Sequence, residues 1–215
     1  MRSSVVVRLA WAMLIVGSAG GARAQSGTSG ESPKLPPAAE AAVNRIADSA
    51  RTRGLPTDPL FAKVAEGLLK NADPSRIVDA VRGLARELDV ARQSLGSGAS
   101  SAELVAAASL VHVGVTPSQL KHLSEVGSEH GTPNRLVMPF TVLADLVARH
   151  VSTDVALSSI ETLVERGAPD AQFATLRTAI ERDIASGARP DVAAQARSAA
   201  VLRTLEPRPA TRPPE

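Results

Sequence analysis

Apolar residues recur every three or four positions through most of the chain, and short polar or proline-containing stretches interrupt them. Between Gly54 and Arg92, one apolar stripe follows Asp58-Pro59 and a second follows Asp73-Pro74. An acidic cap followed by proline is typical of a helix start, and glycine after the last apolar position is typical of a helix end. The pattern therefore predicts an all-α protein of about nine short amphipathic helices.

The predicted helices begin at such caps and end at such glycines. Ser100 with Glu103, and Thr116 with Gln119, fit the spacing of a capping box. Pro139 interrupts the segment that follows Thr132-Pro133, so we expect either a kinked helix or a short helix, 133–138, before the next one. The predicted spans are 38–53, 59–70, 74–93, 100–113, 117–130, 139–150, 153–166, 169–186 and 190–205.

The first two predicted helices each have an apolar stripe. In the first, we assign Ala42, Val43, Ile46, Ala47 and Ala50 to one apolar face. In the second, the assigned residues are Leu60, Phe61, Val64, Ala65, Leu68 and Leu69.

The connections between the helices are short, which favours antiparallel neighbouring helices. Gly54-Leu-Pro, Gly114-Val-Thr-Pro and Gly167-Ala-Pro resemble one another and recur roughly every 55 to 60 residues. A repeat-like array and an irregular bundle both remain possible. We expect an N-terminal helical lobe at 38–93, a Gly/Ser linker at 94–100 and a C-terminal helical array at 101–205.

Both ends of the chain differ from the helical part. Residues 1–24 have the charged, apolar and small-residue regions of a secretory signal peptide, ending in the cleavage site Ala22-Arg23-Ala24. Cleavage after Ala24 would place the protein in the periplasm or outside the cell. Residues 25–37 are predicted to be a disordered leader, and residues 206–215 a proline-rich tail.

Composition narrows the classes of partner. Removing residues 1–24 removes three arginines and no acidic residue, so 24 basic and 22 acidic residues become 21 and 22, a net charge of −1. Without a basic field, and with only three phenylalanines left as aromatic residues, we predict no nucleic-acid partner. The chain has no cysteine, which excludes disulfides and a thiol-linked lipid anchor. No later segment is apolar enough for stable membrane insertion.

The candidate catalytic residues are Ser118 and Lys121, which form an S-x-x-K motif near a predicted helix start. Exported enzymes that use this motif also need S-D-N and K-T-G elements, and the chain has neither. We therefore favour a non-enzymatic role and keep a cell-wall hydrolase as an alternative.

The four histidines have helical positions that need no ligand. His112, His130 and His150 fall in the last turns of predicted helices, where histidine interacts favourably with the helix dipole, and His122 lies within a helix. None of them has the spacing of a zinc site, so no metal site and no cofactor are predicted.

The other charged side chains also have positions that need no ligand. Arg82, Arg86 and Arg92 could bind an acidic partner, but the neighbouring acidic residues favour a mixed-charge solvent face. The first-turn acidic residues are assigned to capping and to favourable interaction with the helix dipole: Asp58, Asp73, Asp154, Asp170 and Asp191.

The segment that begins at Gly54 follows the pattern GLP-x-x-PL-x-x-K-x-x-EG. It resembles a class of exported bacterial helical proteins that have no assigned activity. The resemblance covers about a fifth of the chain and implies a helical fold, without implying a chemistry.

The sequence thus favours an exported interaction or structural protein of the cell envelope, which presents a groove to another envelope protein or to itself. The alternatives are the hydrolase at Ser118 and Lys121, and a carrier of a small apolar ligand between aliphatic helices.

Overall fold

The computed structural model describes residues 34–129 and 136–205, and throughout these ranges every regular element is an α-helix. The all-α prediction is confirmed. The predicted signal peptide, most of the leader, His130, Thr132-Pro133 and the tail lie outside the described residues. The helices are α1 (Pro37–Thr52), α2 (Asp58–Leu69), α3 (Pro74–Leu95), α4 (Ser101–His112), α5 (Pro117–Glu129), α6 (Val137–Ala148), α7 (Thr153–Glu165), α8 (Asp170–Ala185) and α9 (Pro190–Leu205).

Most helices end in the same left-handed turn. After α1, Gly54 has a φ of 69° and donates to the carbonyl of Arg51, while Leu55 donates to the carbonyl of Ala50. This pair of bonds is a Schellman motif, which satisfies the last helical carbonyls. It also buries Leu55, which is 4% exposed. The same pair of bonds closes α2, α4, α6, α7 and α8, where the left-handed residues are Asn71, Gly114, His150, Gly167 and Gly187.

The predicted capping boxes are confirmed. Glu103 accepts from the backbone of Ser100 at 2.9 Å, and the Ser100 hydroxyl accepts from the backbone of Glu103 at 3.3 Å. Thr116 and Gln119 form the equivalent pair at 3.0 and 3.3 Å. These bonds satisfy amide groups that a helix start leaves without partners.

The two acidic residues before proline behave differently. Asp73 is the N-cap of α3 and accepts from the amide and hydroxyl of Ser75, which lowers the pKa of its carboxyl group. The expectation that Asp58 caps α2 is wrong, because Thr57 occupies the N-cap position and makes no side-chain cap. Asp58 is instead the first helical residue, where its charge interacts favourably with the helix dipole.

Pro139 lies in the first turn of α6, a position that the sequence did not resolve. The helix begins at Val137, so Pro139 is its third residue. An amide hydrogen at this position would have no intrahelical acceptor, and the proline therefore breaks no helical hydrogen bond. Val137 and Met138 belong to this first turn and not to a separate preceding helix, whereas residues 133–135 lie outside the described residues.

Helix packing follows a three-helix unit that occurs three times: α1–α3, α4–α6 and α7–α9. In each unit the first helix packs against the third, as α1 does against α3, α4 against α6, and α7 against α9. The third helix of one unit then packs against the first two helices of the next: α3 against α4 and α5, and α6 against α7 and α8. The described residues thus form a helical bundle whose contacts follow the repeat suggested by Gly54, Gly114 and Gly167.

The described residues belong to one compact unit. Within it, Ser94 and Leu95 of the expected Gly/Ser linker form the end of α3, and the rest of that stretch connects α3 to α4, which pack against each other. The division into an N-terminal lobe and a C-terminal array stays a prediction.

The repeat extends to the second helix of each unit. Leu60, Leu120 and Phe173 lie at the same distance after the three glycines, and each is almost completely buried. Two turns further on, Gly67 of α2 corresponds to Gly127 of α5. Both glycines lie against an aliphatic side chain at the start of the third helix, Ile77 and Leu136 respectively.

The apolar stripe predicted for α2 is only partly buried, with Val64 and Leu68 half-buried. Leu60 is its only fully buried residue, whereas Phe61 is 43% exposed and Leu69 is 81% exposed. Helix α2 packs mainly against α3, and no helix of the described ranges covers its outer face, which carries Phe61 and Leu69. Periodicity alone could not reveal this, because it locates an apolar face but not the neighbour that covers it.

We predict that Gly67→Ala destabilises the protein by about 1–3 kcal/mol, because the added carbon would overpack the α2–α3 contact. A Cβ there would lie 2.6 Å from Cγ1 of Ile77. Urea unfolding should show this loss, and in the double variant Gly67→Ala/Ile77→Ala the loss should be smaller than the sum of the two single losses.

Gly83→Ala is the matched control, because Gly83 is a helical glycine of α3 with open space at its Cβ position. It should gain about 0.5–1 kcal/mol from the better helix propensity of alanine. Equal stabilities of the two alanine variants would contradict the close approach of α2 to α3.

Candidate functional site

The main candidate site is a groove between α1 and α3, which we call the arginine groove. Its volume is about 330 Å³. Its floor is made of Ala42, Ile46 and Ala85, which are buried or partly buried, and its rim is made of the exposed Arg45, Arg53, Arg82, Arg86 and Ser49.

Helical spacing explains why the four arginines share this groove. Arg45 and Arg53 are separated by about two turns of α1, and Arg82 and Arg86 by about one turn of α3, so each pair lies on one face of its helix. Helix α1 packs along α3, and its buried residues include Val43 and Ala47. The arginine-bearing faces of the two helices therefore lie side by side.

Only half of the rim charge is neutralised within the described part of the chain. Arg53 lies 3.0 Å from a carboxylate oxygen of Asp89, and Arg82 lies 2.5 Å from one of Asp79. Arg45 and Arg86 have no carboxylate partner in this part of the structure. The groove therefore combines an apolar floor with two guanidinium groups that are available to an external anion.

The three arginines that the sequence suggested as a possible binding site have different roles in the structure. Arg82 and Arg86 line the groove, but Arg92 donates to the carbonyl oxygens of Gly54 at 2.8 Å and of Ser97 at 3.0 Å. Arg92 therefore ties the end of α3 to the turn after α1, which is a structural role. The acidic neighbours are also divided, since Glu87 contacts His112 instead of an arginine.

The α1 side of the groove was missed. Ala42 and Ile46, which the sequence assigns to the apolar face of α1, are partly buried against the core and also line the groove. Arg45 and Arg53 flank this second, narrower stripe. Their spacing of about two turns was visible in the sequence, although the packing partner that makes a groove of it was not.

Ser118 and Lys121 both lie on the exposed surface near the start of α5, and each has another partner. The Ser118 hydroxyl is 3.1 Å from that of Thr116, and the Lys121 amine is 3.7 Å from a carboxylate oxygen of Glu125. The structure shows no bond between Ser118 and Lys121 among the described contacts. The geometry therefore provides no base positioned to activate this serine.

Two histidines contact glutamates on other helices. His112 ends α4, as predicted, and its Nδ1 lies 2.8 Å from Glu87 of α3. His122 Nε2 lies 2.6 Å from Glu161 of α7. Both contacts are exposed at the surface. Each joins neighbouring helices, and neither glutamate partner could be identified from sequence spacing.

The other two histidines differ from each other. His150 lies one residue beyond the C-cap of α6 with a φ of 66°, so it replaces the glycine found after other helices. This is a backbone role and not the last-turn dipole contact that we expected. His130 lies outside the described residues. Within the described ranges, no three potential metal ligands lie close enough together to hold an ion.

The first-turn acidic residues include one with a long-range contact. Asp191, at the start of α9, accepts from the backbone amide of Ser152 at 2.7 Å, and Ser152 is the N-cap residue of α7. Asp191 therefore binds the backbone at the start of α7, although it belongs to α9.

A second cavity, of about 280 Å³, lies where α6, α7 and α8 meet. Its walls include Leu136, Val164 and Phe173, and Asp170 lies at its edge. Its volume is slightly below the range of about 300–1,000 Å³ that is usual for small-molecule sites.

None of the helices in the described ranges has the length and apolar character needed to cross a bilayer. Comparison with known proteins gave no matching family model, no matching curated protein and no matching solved structure.

The fixed positions of the GLP-x-x-PL-x-x-K-x-x-EG pattern have structural roles in this chain. Gly54 and Leu55 form the turn, Leu60 fills the core, and Gly67 allows the close contact with Ile77. Lys63 and Glu66 form an ion pair at 2.8 Å, and Pro59 lies in the first turn of α2. The resemblance to exported helical proteins stays a prediction, and most of its motif is accounted for by folding.

We predict that a fluorophosphonate probe, which labels activated serines, does not label this protein, because Ser118 has no base beside it. Mass spectrometry of the treated protein provides the measurement. Labelling that disappears in Ser118→Ala and weakens in Lys121→Ala would contradict this prediction and support the hydrolase alternative.

Proposed function

We propose that this protein is an exported, non-enzymatic interaction protein of the cell envelope. It binds an acidic helical segment of another envelope protein in the arginine groove. The observation that supports this proposal is the pairing of an apolar floor with four rim arginines, two of which lack a carboxylate partner within the described residues.

The chemistry of the groove favours an amphipathic helix with carboxylates beside its apolar face. Ile46 and the two alanines of the floor would contact the apolar side chains of the ligand helix. Guanidinium groups bind carboxylates with two parallel hydrogen bonds, so Arg45 and Arg86 would position the ligand as well as attract it. Because the groove is exposed, this attraction should weaken as salt increases.

The proposed location follows from the N-terminal sequence. Cleavage after Ala24 would release the chain into the periplasm or the medium. With a net charge of −1 after cleavage, the protein has no overall basic field, so an acidic partner would be bound through the local groove charge alone.

A second candidate function, the carrier of a small apolar ligand, is favoured by the cavity between α6, α7 and α8. Its walls are mostly apolar, but its volume suits only a ligand smaller than a typical lipid chain.

The proposal is tested with two synthetic amphipathic helices that share one apolar face and differ only in flanking residues, glutamate in one and lysine in the other. Fluorescence anisotropy should show binding of the glutamate peptide alone, weaker at high salt. Arg45→Glu/Arg86→Glu should reduce its affinity about tenfold or more, because it replaces attraction by repulsion at both free rim positions.

The matched control is Arg51→Glu/Arg203→Glu, which changes the net charge by the same amount. Arg51 pairs with Asp48 on an exposed part of α1, and Arg203 lies near the end of α9. These changes should leave the affinity nearly unaltered. Equal binding of the two peptides, or equal losses in the two double variants, would contradict the proposed function.

A further inference from the structure

The outer face of α2 is apolar and uncovered. Phe61, Ala65 and Leu69 are spaced four residues apart and are all exposed, so they form one stripe along the helix. We call these three residues the α2 stripe. Apart from Val192 on α9, Phe61 and Leu69 are the large hydrophobic side chains that the described residues leave exposed.

Comparison with the other units shows that the fold does not require this stripe. Counted from the preceding glycine, its three positions are filled in α5 by Lys121, Glu125 and Glu129, and in α8 by Ala174, Thr178 and Arg182. All three positions are exposed in α5, and those of α8 are exposed or partly so. The apolar stripe is therefore particular to α2 and is not a general property of the three-helix unit.

The absence of a third helix preceding α2 in the described ranges does not explain the stripe either. The residues of α5 and α8 that are buried at the contact side include Leu123 and Leu176, and the corresponding residue of α2 is Lys63. Lys63 forms an ion pair with Glu66, so that side of α2 is polar. The stripe lies on a different face.

The parts of the chain outside the described ranges offer no aliphatic side chain larger than alanine or proline to cover the stripe, once residues 1–24 are removed. Residues 25–33 read QSGTSGESP, residues 130–135 read HGTPNR, and residues 206–215 read EPRPATRPPE. From residue 25 onward, the sequence outside the described ranges thus supplies no large aliphatic side chain that could cover Phe61 and Leu69.

We propose that a second copy of this chain docks on the α2 stripe, with the two α2 helices antiparallel about a two-fold axis beside Ala65. The stripe is large, small and large in order, so this symmetry places Phe61 of each copy against Leu69 of the other. Alanine at the centre allows the two helices to approach closely. Such isologous contacts are the commonest form of dimer interface.

The charges at the ends of α2 agree with the antiparallel direction. Asp58 lies at the start of the helix on the exposed side and has no partner among the described contacts. Lys70 follows the last residue and pairs with Glu66 at 2.6 Å, but Glu66 also pairs with Lys63, so this end of α2 carries more positive than negative charge. An antiparallel pair places Asp58 of one copy beside Lys70 of the other. A parallel pair would place like charges together, which is unfavourable.

The test compares the purified chain with the variant Phe61→Lys/Leu69→Glu, which gives α2 the residues that α5 has at the same positions. Because both positions are exposed, the variant should fold normally, which circular dichroism checks. Sedimentation equilibrium should show a dimer for the unchanged chain and a dissociation constant raised at least about tenfold in the variant. Val192→Lys, at the exposed aliphatic residue of α9, should leave the dimer unchanged.

A cysteine variant tests the two-fold axis directly, because the chain has no cysteine of its own. Ala65→Cys should form a disulfide-linked dimer on mild oxidation, whereas Val192→Cys should not. A chain that remains monomeric at all concentrations, because residues 1–24 or another protein cover the stripe, would overturn the proposal. So would a dimer that survives Phe61→Lys/Leu69→Glu. Neither result would affect binding of the acidic peptide in the arginine groove.

Discussion

The fold depends on burial of aliphatic side chains between the third helix of one unit and the first two helices of the next. The chain has few aromatic residues, and its core is built mainly from leucine, valine, isoleucine and alanine. Such a core gains its stability from close packing and not from large individual side chains. Each left-handed turn contributes to it, because the residue after the turn, such as Leu55 or Val115, returns directly to the core.

This mode of packing makes the first described unit different from the other two. Among the described residues, its helices α1 and α2 have no preceding third helix beside them. Its surface also has two distinctive features. The α1–α3 contact is lined by arginines, and α2 has an apolar outer stripe where the other units have charged or small residues. Both proposed binding surfaces therefore lie on the same unit but differ in chemistry.

Features that depend on neighbouring residues in the sequence could be predicted. The capping boxes at Ser100 and Thr116 and the glycine turn at Gly114 are local, and the structure confirms them. Asp58 was assigned wrongly because an acidic residue before proline fits both the N-cap and the first helical position, and only the backbone distinguishes them.

Features that depend on tertiary packing could not be predicted in the same way. The contact of His122 with Glu161 and that of Asp191 with Ser152 join residues far apart in the sequence. The exposure of Phe61 depends on which helices surround α2, and hydrophobic periodicity does not contain that information. For the same reason, the sequence identified Arg82 and Arg86 but not the groove. Only the packing of α1 against α3 places them beside Arg45 and Arg53.

The central claim is that packing between successive units stabilises α5 and α8, whereas α2 packs, among the described helices, mainly within its own unit. Hydrogen–deuterium exchange in dilute solution tests it most directly, because amide protection reports the local free energy of opening. The account predicts that amides of α2 exchange faster than those of α5 and α8. Protection of α2 equal to or greater than that of the other two helices would contradict it.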